Sequence, residues 1–359
     1  MKKAALYDPY LDTLGGGEKH ILSIVKVLED EGYEINIFWD KNLQNQIENR
    51  FRIQFVNKFK FLPNIFNKKN TLKTLRVLRT FDLFFYVTDG SYFFSSAKKN
   101  FIFCMVPDKK LYNPSLVNKL KTSNYHFITN SLFTKSWLVK WGINSEVIYP
   151  YLSQDFIDLD IDKLKKENII LSVGRIYSHL HSKKQSILID LFNKLKQQNI
   201  MFKNFKLILA GGLKQEDKQY FNELETLIGK NPDILLKPNL SYSELLELYK
   251  KSKFYIQMTG YGIDENKNPE LVEHLGITPL EAMASGCITF CYHSGGPKEI
   301  IKEGRTGFLF KSKEELIKKL VYNISDPGRQ IRIKKLAKNY IRTNFSYELF
   351  KKRVKEVIL

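Results

Sequence analysis

The chain has 359 residues, 43% of them hydrophobic and 26% charged, which gives room for two domains of ordinary size. No apolar run reaches the roughly 18 residues of a membrane-crossing helix, Asp8 interrupts the N-terminus too soon for a signal-peptide core, and the three cysteines show neither metal-ligand spacing nor an even disulfide set. The formal net charge of +19 calls for an anionic partner: nucleic acid, membrane or substrate. Basic residues are spread over both halves and no motif of the common nucleic-acid-binding modules occurs, so no specific nucleic acid is expected.

Short apolar runs alternate with helical patterns from end to end, as in parallel α/β architecture. In the first half, strands are predicted at Ala4–Tyr7, Glu34–Phe38, Ile53–Val56, Leu83–Val87, Phe101–Val106, Tyr125–Thr129 and Val147–Tyr149, with helices over Lys19–Asp30, Pro114–Lys121 and Ser131–Trp141. After the first strand, Leu14-Gly15-Gly16-Gly17-Glu18 opens a helix. Its glycines allow close backbone approach, and its N-terminus favours an anion. Between Lys58 and Arg79, Lys58, Lys60, Lys68, Lys69, Lys73, Arg76 and Arg79 occur with no acid and with Phe59, Phe61, Leu62, Ile65, Phe66, Leu72, Leu75 and Leu78 interleaved. That pattern predicts an interfacial segment on an anionic membrane surface. A solvated basic face over core residues is the alternative.

Tyr149-Pro150-Tyr151 closes the first half, because proline ends a strand and the next strongly apolar run begins at Ile169. A second cycle of strands follows at Ile169–Val173, Lys206–Ala210, Ile234–Lys237, Phe254–Gln257, Ile288–Cys291 and Gly307–Phe310. Two Rossmann-like halves are the economical reading. Leu171-Ser172-Val173-Gly174-Arg175 is a strand running into a loop, and Lys183 stands eight residues on at the start of a helix. An arginine fork and a lysine point charge beside a helix N-terminus can neutralise a diphosphate without a metal.

Glu273 and Glu281 lie eight positions apart, with Gly276 in a turn between them and a helical segment following. Two acids at the mouth of a helix suit a ligand with many hydroxyls and a negative tail. The same residues also fit a capping box, with Thr278 as N-cap, Pro279 at the first helical position and Glu281 three residues on.

The stretch resembles the E-x7-E motif of retaining GT-B glycosyltransferases of family 4 (group 1). Gly260-Tyr261-Gly262 with Asp264-Glu265 upstream, and Gly295-Gly296-Pro297-Lys298-Glu299 and Gly304-Arg305-Thr306-Gly307-Phe308-Leu309 downstream, extend the resemblance over nearly the whole sequence. It implies two Rossmann-like parallel-sheet domains facing each other across a cleft. Residues 1–151 would form the acceptor side, with 345–359 as a helix crossing back to it, and 152–344 would form the donor domain. The implied activity is transfer of a hexose from a nucleoside-diphosphate sugar to a hydroxyl of a glycan or lipid-linked saccharide, with retention and without metal or cofactor. By resemblance, Arg175 and Lys183 hold the diphosphate, Glu281 binds the ribose and Glu273 faces the transferred sugar. Backbone groups of Gly276, Ile277 and Thr278 contact sugar and phosphate, and Gly16 and Gly17 border the donor. A cytoplasmic location, peripheral on the inner membrane face, follows.

Two histidines of the family pattern are absent. Met105 and Gln257 stand in their places, so either Asp108 or His126 substitutes or the enzyme does without the group, and a catalytically silent nucleotide- or glycan-binding relative is kept as the alternative. His179 and His181 read as loop residues, and His274 as a sugar contact or a wall residue. Lys237-Pro238-Asn239 lies where the nucleotide base is expected.

Overall fold

The alternation resolves into two parallel sheets in the computed structural model of the chain, which describes residues 1–66, 71–112, 115–179 and 182–359. The chain divides into unit 1, Met1–Pro150 with Phe350–Leu359, and unit 2, Tyr151–Leu349. The segment grouped with unit 1 starts at Phe350, and the carbonyl of Phe345 accepts the N–H of Leu152 at 3.0 Å within unit 2.

In unit 1 the strands are β1 (Lys3–Tyr7), β2 (Glu34–Phe38), β3 (Lys60–Leu62), β4 (Leu83–Val87), β5 (Lys99–Cys104), β6 (Tyr125–Thr129) and β7 (Ser145–Val147), in the order β3-β2-β1-β4-β5-β6-β7. β4 is buried at every position, as expected of a central parallel strand covered on both faces. Chain order reverses between β1 and β4, the kind of crevice where open α/β sheets take ligands.

One expectation for this half is corrected. Ile53–Val56 is not a strand: the N–H groups of Val56 and Asn57 donate to the Glu29 carboxylate at 3.2 and 2.6 Å, and Lys60–Leu62 pairs with β2 instead. Over 58–79 the apolar residues mostly turn inward. Phe59 and Leu78 are buried, and Phe66 stacks on Tyr7 with ring centroids 4.2 Å apart. Of those apolar residues only Leu72 is exposed, while Lys58, Lys60, Lys73, Arg76 and Arg79 face solvent. The segment keeps the charge expected of an interfacial segment but not the apolar face. Lys68 and Lys69 lie outside the described residues, as does Pro114, and the helix expected from Pro114 is described over Leu116–Lys121. Among the described residues no helix is long and apolar enough to cross a membrane.

Unit 2 carries β8 (Glu167–Val173), β9 (Lys206–Gly211), β10 (Ile234–Pro238), β11 (Ser252–Gln257), β12 (Ile288–Tyr292) and β13 (Phe308–Phe310), in the order β10-β9-β8-β11-β12-β13. Here order reverses between β8 and β11. Its core joins Leu188, Phe192, Leu207, Phe254, Phe290 and Leu316.

His20, on the helix Gly16–Asp30, is buried edge-on against Phe103 and near Phe350. Burial pushes its pKa down to about 3 from 6.5, against the opposing hydrogen bond to the Ile148 backbone. The unfolded chain therefore binds a proton below pH 6.5 that the folded chain refuses until about pH 3. Stability falls by about 1.4 kcal/mol per pH unit across that window from this group alone. His20→Asn, which keeps a donor and does not titrate, is expected to flatten the acid limb of a urea-midpoint-against-pH curve. An unchanged limb would mean another group sets it.

Candidate functional site

In unit 2, Gly174 and Arg175 leave the end of β8, and Gln257 is the last residue of β11, so both strands of the chain-order reversal feed one place. The approach there is close. A Cβ on Gly211, at the end of β9, would lie 1.9 Å from the Gly174 carbonyl oxygen, and a Cβ on Gly174 would lie 2.6 Å from Cγ of Lys183. These two glycines let the Lys183 side chain run across the end of β8.

Lys183 Nζ lies 2.6 Å from Oε2 of Glu273, with the two side chains 13% and 17% exposed. The same oxygen accepts a hydrogen bond from Gln257 Nε2 at 2.7 Å. Gln257, which stands where a histidine was expected, is therefore a donor to Glu273 and carries no transferable proton. Its own Oε1 is buried without a protein partner. Tyr177 lies among the charges of this region. Burial raises its hydroxyl pKa to about 12, with Arg175 opposing and Glu273 and Asp217 adding to the rise.

Arg175 is placed differently from Lys183. Its guanidinium donates to Asp217 at 2.9 and 3.2 Å and to Glu216 at 3.1 Å, and stacks over Tyr177 at 4.7 Å. The acids that hold it come from a turn some forty residues on, which no local spacing announces.

The helix Ile277–Ala284 starts from Gly276, whose φ of 102° favours glycine, and no side chain caps that end. This overturns the capping-box reading. Thr278 lies inside the helix with its hydroxyl 2.8 Å from that of Tyr255, and Glu281 accepts from the Tyr249 hydroxyl at 2.9 Å. With Pro279 lacking an N–H, the leading amides of Ile277 and Thr278 are the positive end of a short dipole. Tyr249 and Tyr255 are fully buried and fix both polar residues. The sequence holds no spacing that would single these tyrosines out.

The loop Gly295-Gly296 backs Glu273. The Gly296 N–H donates to the Glu273 carbonyl at 2.8 Å. A Cβ on Gly295 would lie 2.1 Å from that same oxygen, and one on Gly296 would lie 2.3 Å from Cα of Leu275. Glu265 ties the loop down: its Oε2 accepts the Gly295 N–H at 2.7 Å, and its other oxygen pairs with Lys298. The upstream and downstream motifs thus meet on one backbone carbonyl.

The histidines lie elsewhere. His274 Nε2 sits 3.2 Å from the Glu270 carbonyl. His179 is exposed, and His181 lies outside the described residues. Asn239 braces its loop, pairing with Leu213 at 2.9 and 3.1 Å. Among the described residues no cluster of three or more His, Cys, Asp or Glu could hold a metal ion.

Gly16 and Gly17 belong to unit 1. Glu18 in the first helical turn already accepts the Gly15 N–H at 2.6 Å and the Thr13 hydroxyl at 2.7 Å. A Cβ on Gly17 would lie 2.1 Å from the sulfur of Met105, so the residue that replaces the expected histidine packs on this glycine. Asp8 is buried beside them with Oδ2 unpartnered, its pKa pushed up to about 8 by burial and by Glu18. Asp108 caps a local turn through the Lys110 N–H at 2.9 Å, and His126 is exposed on β6.

Gly296→Ala is expected to destabilise unit 2 by about 2 kcal/mol or more, because its methyl meets rigid backbone. Gly212→Ala, with nothing within 4 Å, should be nearly neutral. Urea unfolding of both variants checks this, and equal stabilities would refute the grip on Glu273.

The glycosyl transferases group 1 family matches residues 153–340. A Mus musculus protein, GDP-Man:Man(3)GlcNAc(2)-PP-Dol alpha-1,2-mannosyltransferase, is 28% identical over 240 residues, covering 62% of this chain and 46% of that protein. The chain thus spans about half the length of the curated relatives it matches. Among solved structures, a Rickettsia africae glycosyltransferase aligns with TM-score 0.74 at 19% identity over 99% of this chain and 98% of that one. Anabaena HepE in complex with UDP aligns with TM-score 0.73 at 17% identity over 99% of each chain. The fold is that of GT-B glycosyltransferases, and with more than half its length matched the chain belongs to the glycosyl transferases group 1 family.

Proposed function

We propose that the chain transfers a hexose from a nucleoside-diphosphate sugar to a hydroxyl of a glycan or lipid-linked saccharide, with retention of configuration. The observation that carries this reading is the Lys183–Glu273 pair, 2.6 Å apart, beside a helix N-terminus that no side chain caps. A cation, a carboxylate and free leading amides together match a ligand that is anionic at one end and hydroxylated at the other.

In this reading Lys183 and Arg175 supply the positive charge for the diphosphate, with the amides of Ile277 and Thr278 beside them. Glu281, steadied by Tyr249, accepts from the ribose hydroxyls. Glu273, gripped through its backbone by Gly296 and Gly276 nearby, accepts from the sugar. The bond from the anomeric carbon to the diphosphate oxygen breaks, the acceptor oxygen bonds to that carbon on the same face, and the acceptor proton passes to the departing diphosphate. That route needs no side-chain base, which is consistent with Met105 and Gln257 in place of histidines. The positive field around the diphosphate stabilises the charge that develops on it.

The mouse relative's name specifies GDP-mannose and a dolichol-linked acceptor, and the HepE structure holds UDP, so GDP and UDP are the donors to test first. At about 100 times its dissociation constant, the correct diphosphate stabilises the fold by about 2.7 kcal/mol, readable as a thermal shift. Lys183→Ala is expected to weaken that binding roughly tenfold or more, since a charge-assisted hydrogen bond contributes about 1.5–3 kcal/mol. Undiminished binding would remove Lys183 from the site. Binding of nucleotide-sugar without turnover of any acceptor would favour the silent relative.

A further inference from the structure

The chain-order reversal in unit 1 also opens onto a pocket, of about 610 Å³, and its chemistry differs from that of unit 2. It is lined by Tyr7 at the end of β1, Trp39 and Asp40 just after β2, Asn64 after β3, Asp89 after β4, and Asp12. The volume falls in the range of small-ligand sites, and the place is where open parallel sheets bind ligands.

The Trp39 ring is partly exposed, and among the described residues no aromatic ring or cation is stacked on it. Its backbone is held by the Leu62 carbonyl, which accepts the Trp39 N–H at 2.9 Å. Two of the carboxylates are anchored through one oxygen each. Asp40 Oδ1 accepts the Asn64 N–H at 2.9 Å, and Asp89 Oδ1 accepts the Ser91 N–H at 2.9 Å as well as the Tyr86 hydroxyl. Such anchoring presents the second oxygen of each in a fixed direction. An aromatic face with carboxylate acceptors around it suits the C–H face and hydroxyl edge of a sugar ring.

Charge decides which sugar. Among the described residues that line the pocket, Asp12, Asp40 and Asp89 face it with Lys41 as the one cation, so a phosphate or uronate would meet like charge at short range. The acids are also too dispersed to hold one metal ion among the described residues. We infer that this pocket binds an uncharged saccharide, stacked on Trp39 and hydrogen-bonded to Asp40 and Asp89, and rejects anionic sugars. Calling that saccharide the acceptor rests on the transferase reading above, but the pocket's selectivity does not. The local field is opposite in sign to the chain's +19, so net charge is a poor guide to this ligand.

The test is a nitrogen–proton NMR titration of the full chain, following the Trp39 indole cross-peak, assigned with Trp39→Phe. The probes are α-mannobiose and cellobiose against glucose 6-phosphate and glucuronate. The expected result is movement of that peak with at least one neutral disaccharide and with neither anion. Trp39→Ala should weaken the neutral probe at least tenfold while leaving GDP or UDP binding intact, and Asp40→Asn should narrow the gap between neutral and anionic probes. No response to either disaccharide, or equal response to the anions, would overturn the inference. Saccharide binding without nucleotide binding would instead sink the donor reading and leave this one standing. Nucleotide binding without a Trp39 response would do the reverse.

Discussion

Oε2 of Glu273 takes two hydrogen bonds at once, from Lys183 and from Gln257, and the Gly295-Gly296 loop holds its backbone. Removing two charges from water costs more than an isolated ion pair returns, so such a pair persists when further hydrogen bonds share the load. Gln257 supplies one of these. The glycine loop supplies the backbone grip, and Glu265 with Lys298 fixes the loop from behind. A pair that is close, partly desolvated and next to free helix amides is also one that an incoming anion can reorganise, because the anion competes for Lys183 in a low dielectric.

The two units use the same topological device with different chemistry. At the reversal between β8 and β11, Lys183 pairs with Glu273 near the start of a helix, and Arg175 is held by Asp217 and Glu216. At the reversal between β1 and β4, aspartates gather around an aromatic ring. A parallel sheet delivers loops to the carboxyl ends of its central strands whatever their composition. Chemistry is therefore set by a handful of loop residues, and the fold itself says little about which ligand each crevice takes.

Much of this was legible in the chain. The strand runs of both sheets stand out because buried parallel strands read as continuous apolar stretches, and the spacing of Glu273 and Glu281 marked the candidate site. The failures have particular causes. Ile53–Val56 has the composition of an edge strand, but the Glu29 carboxylate, 27 and 28 residues upstream, takes the amides of Val56 and Asn57. Thr278-Pro279-Leu280-Glu281 has every residue of a capping box, yet Gly276 at positive φ starts the helix earlier and leaves Thr278 inside it. The apolar residues among the lysines of 58–79 were ambiguous between core and membrane, and tertiary packing sent most of them to the core. Gln257 read as a loss because a missing histidine is visible in sequence, whereas a new hydrogen bond to a residue 16 positions away is not. The carboxylates on Arg175 and the tyrosines on Thr278 and Glu281 are long-range contacts that no local pattern encodes.

The most direct test of the central claim is a crystal structure of the chain with the nucleoside diphosphate that gives the larger thermal shift. The account predicts a phosphate oxygen within hydrogen-bond distance of Lys183 Nζ and of the leading amides of the helix Ile277–Ala284, with the ribose against Glu281. A diphosphate bound elsewhere, with Lys183 and Glu273 still closed on each other, would contradict it.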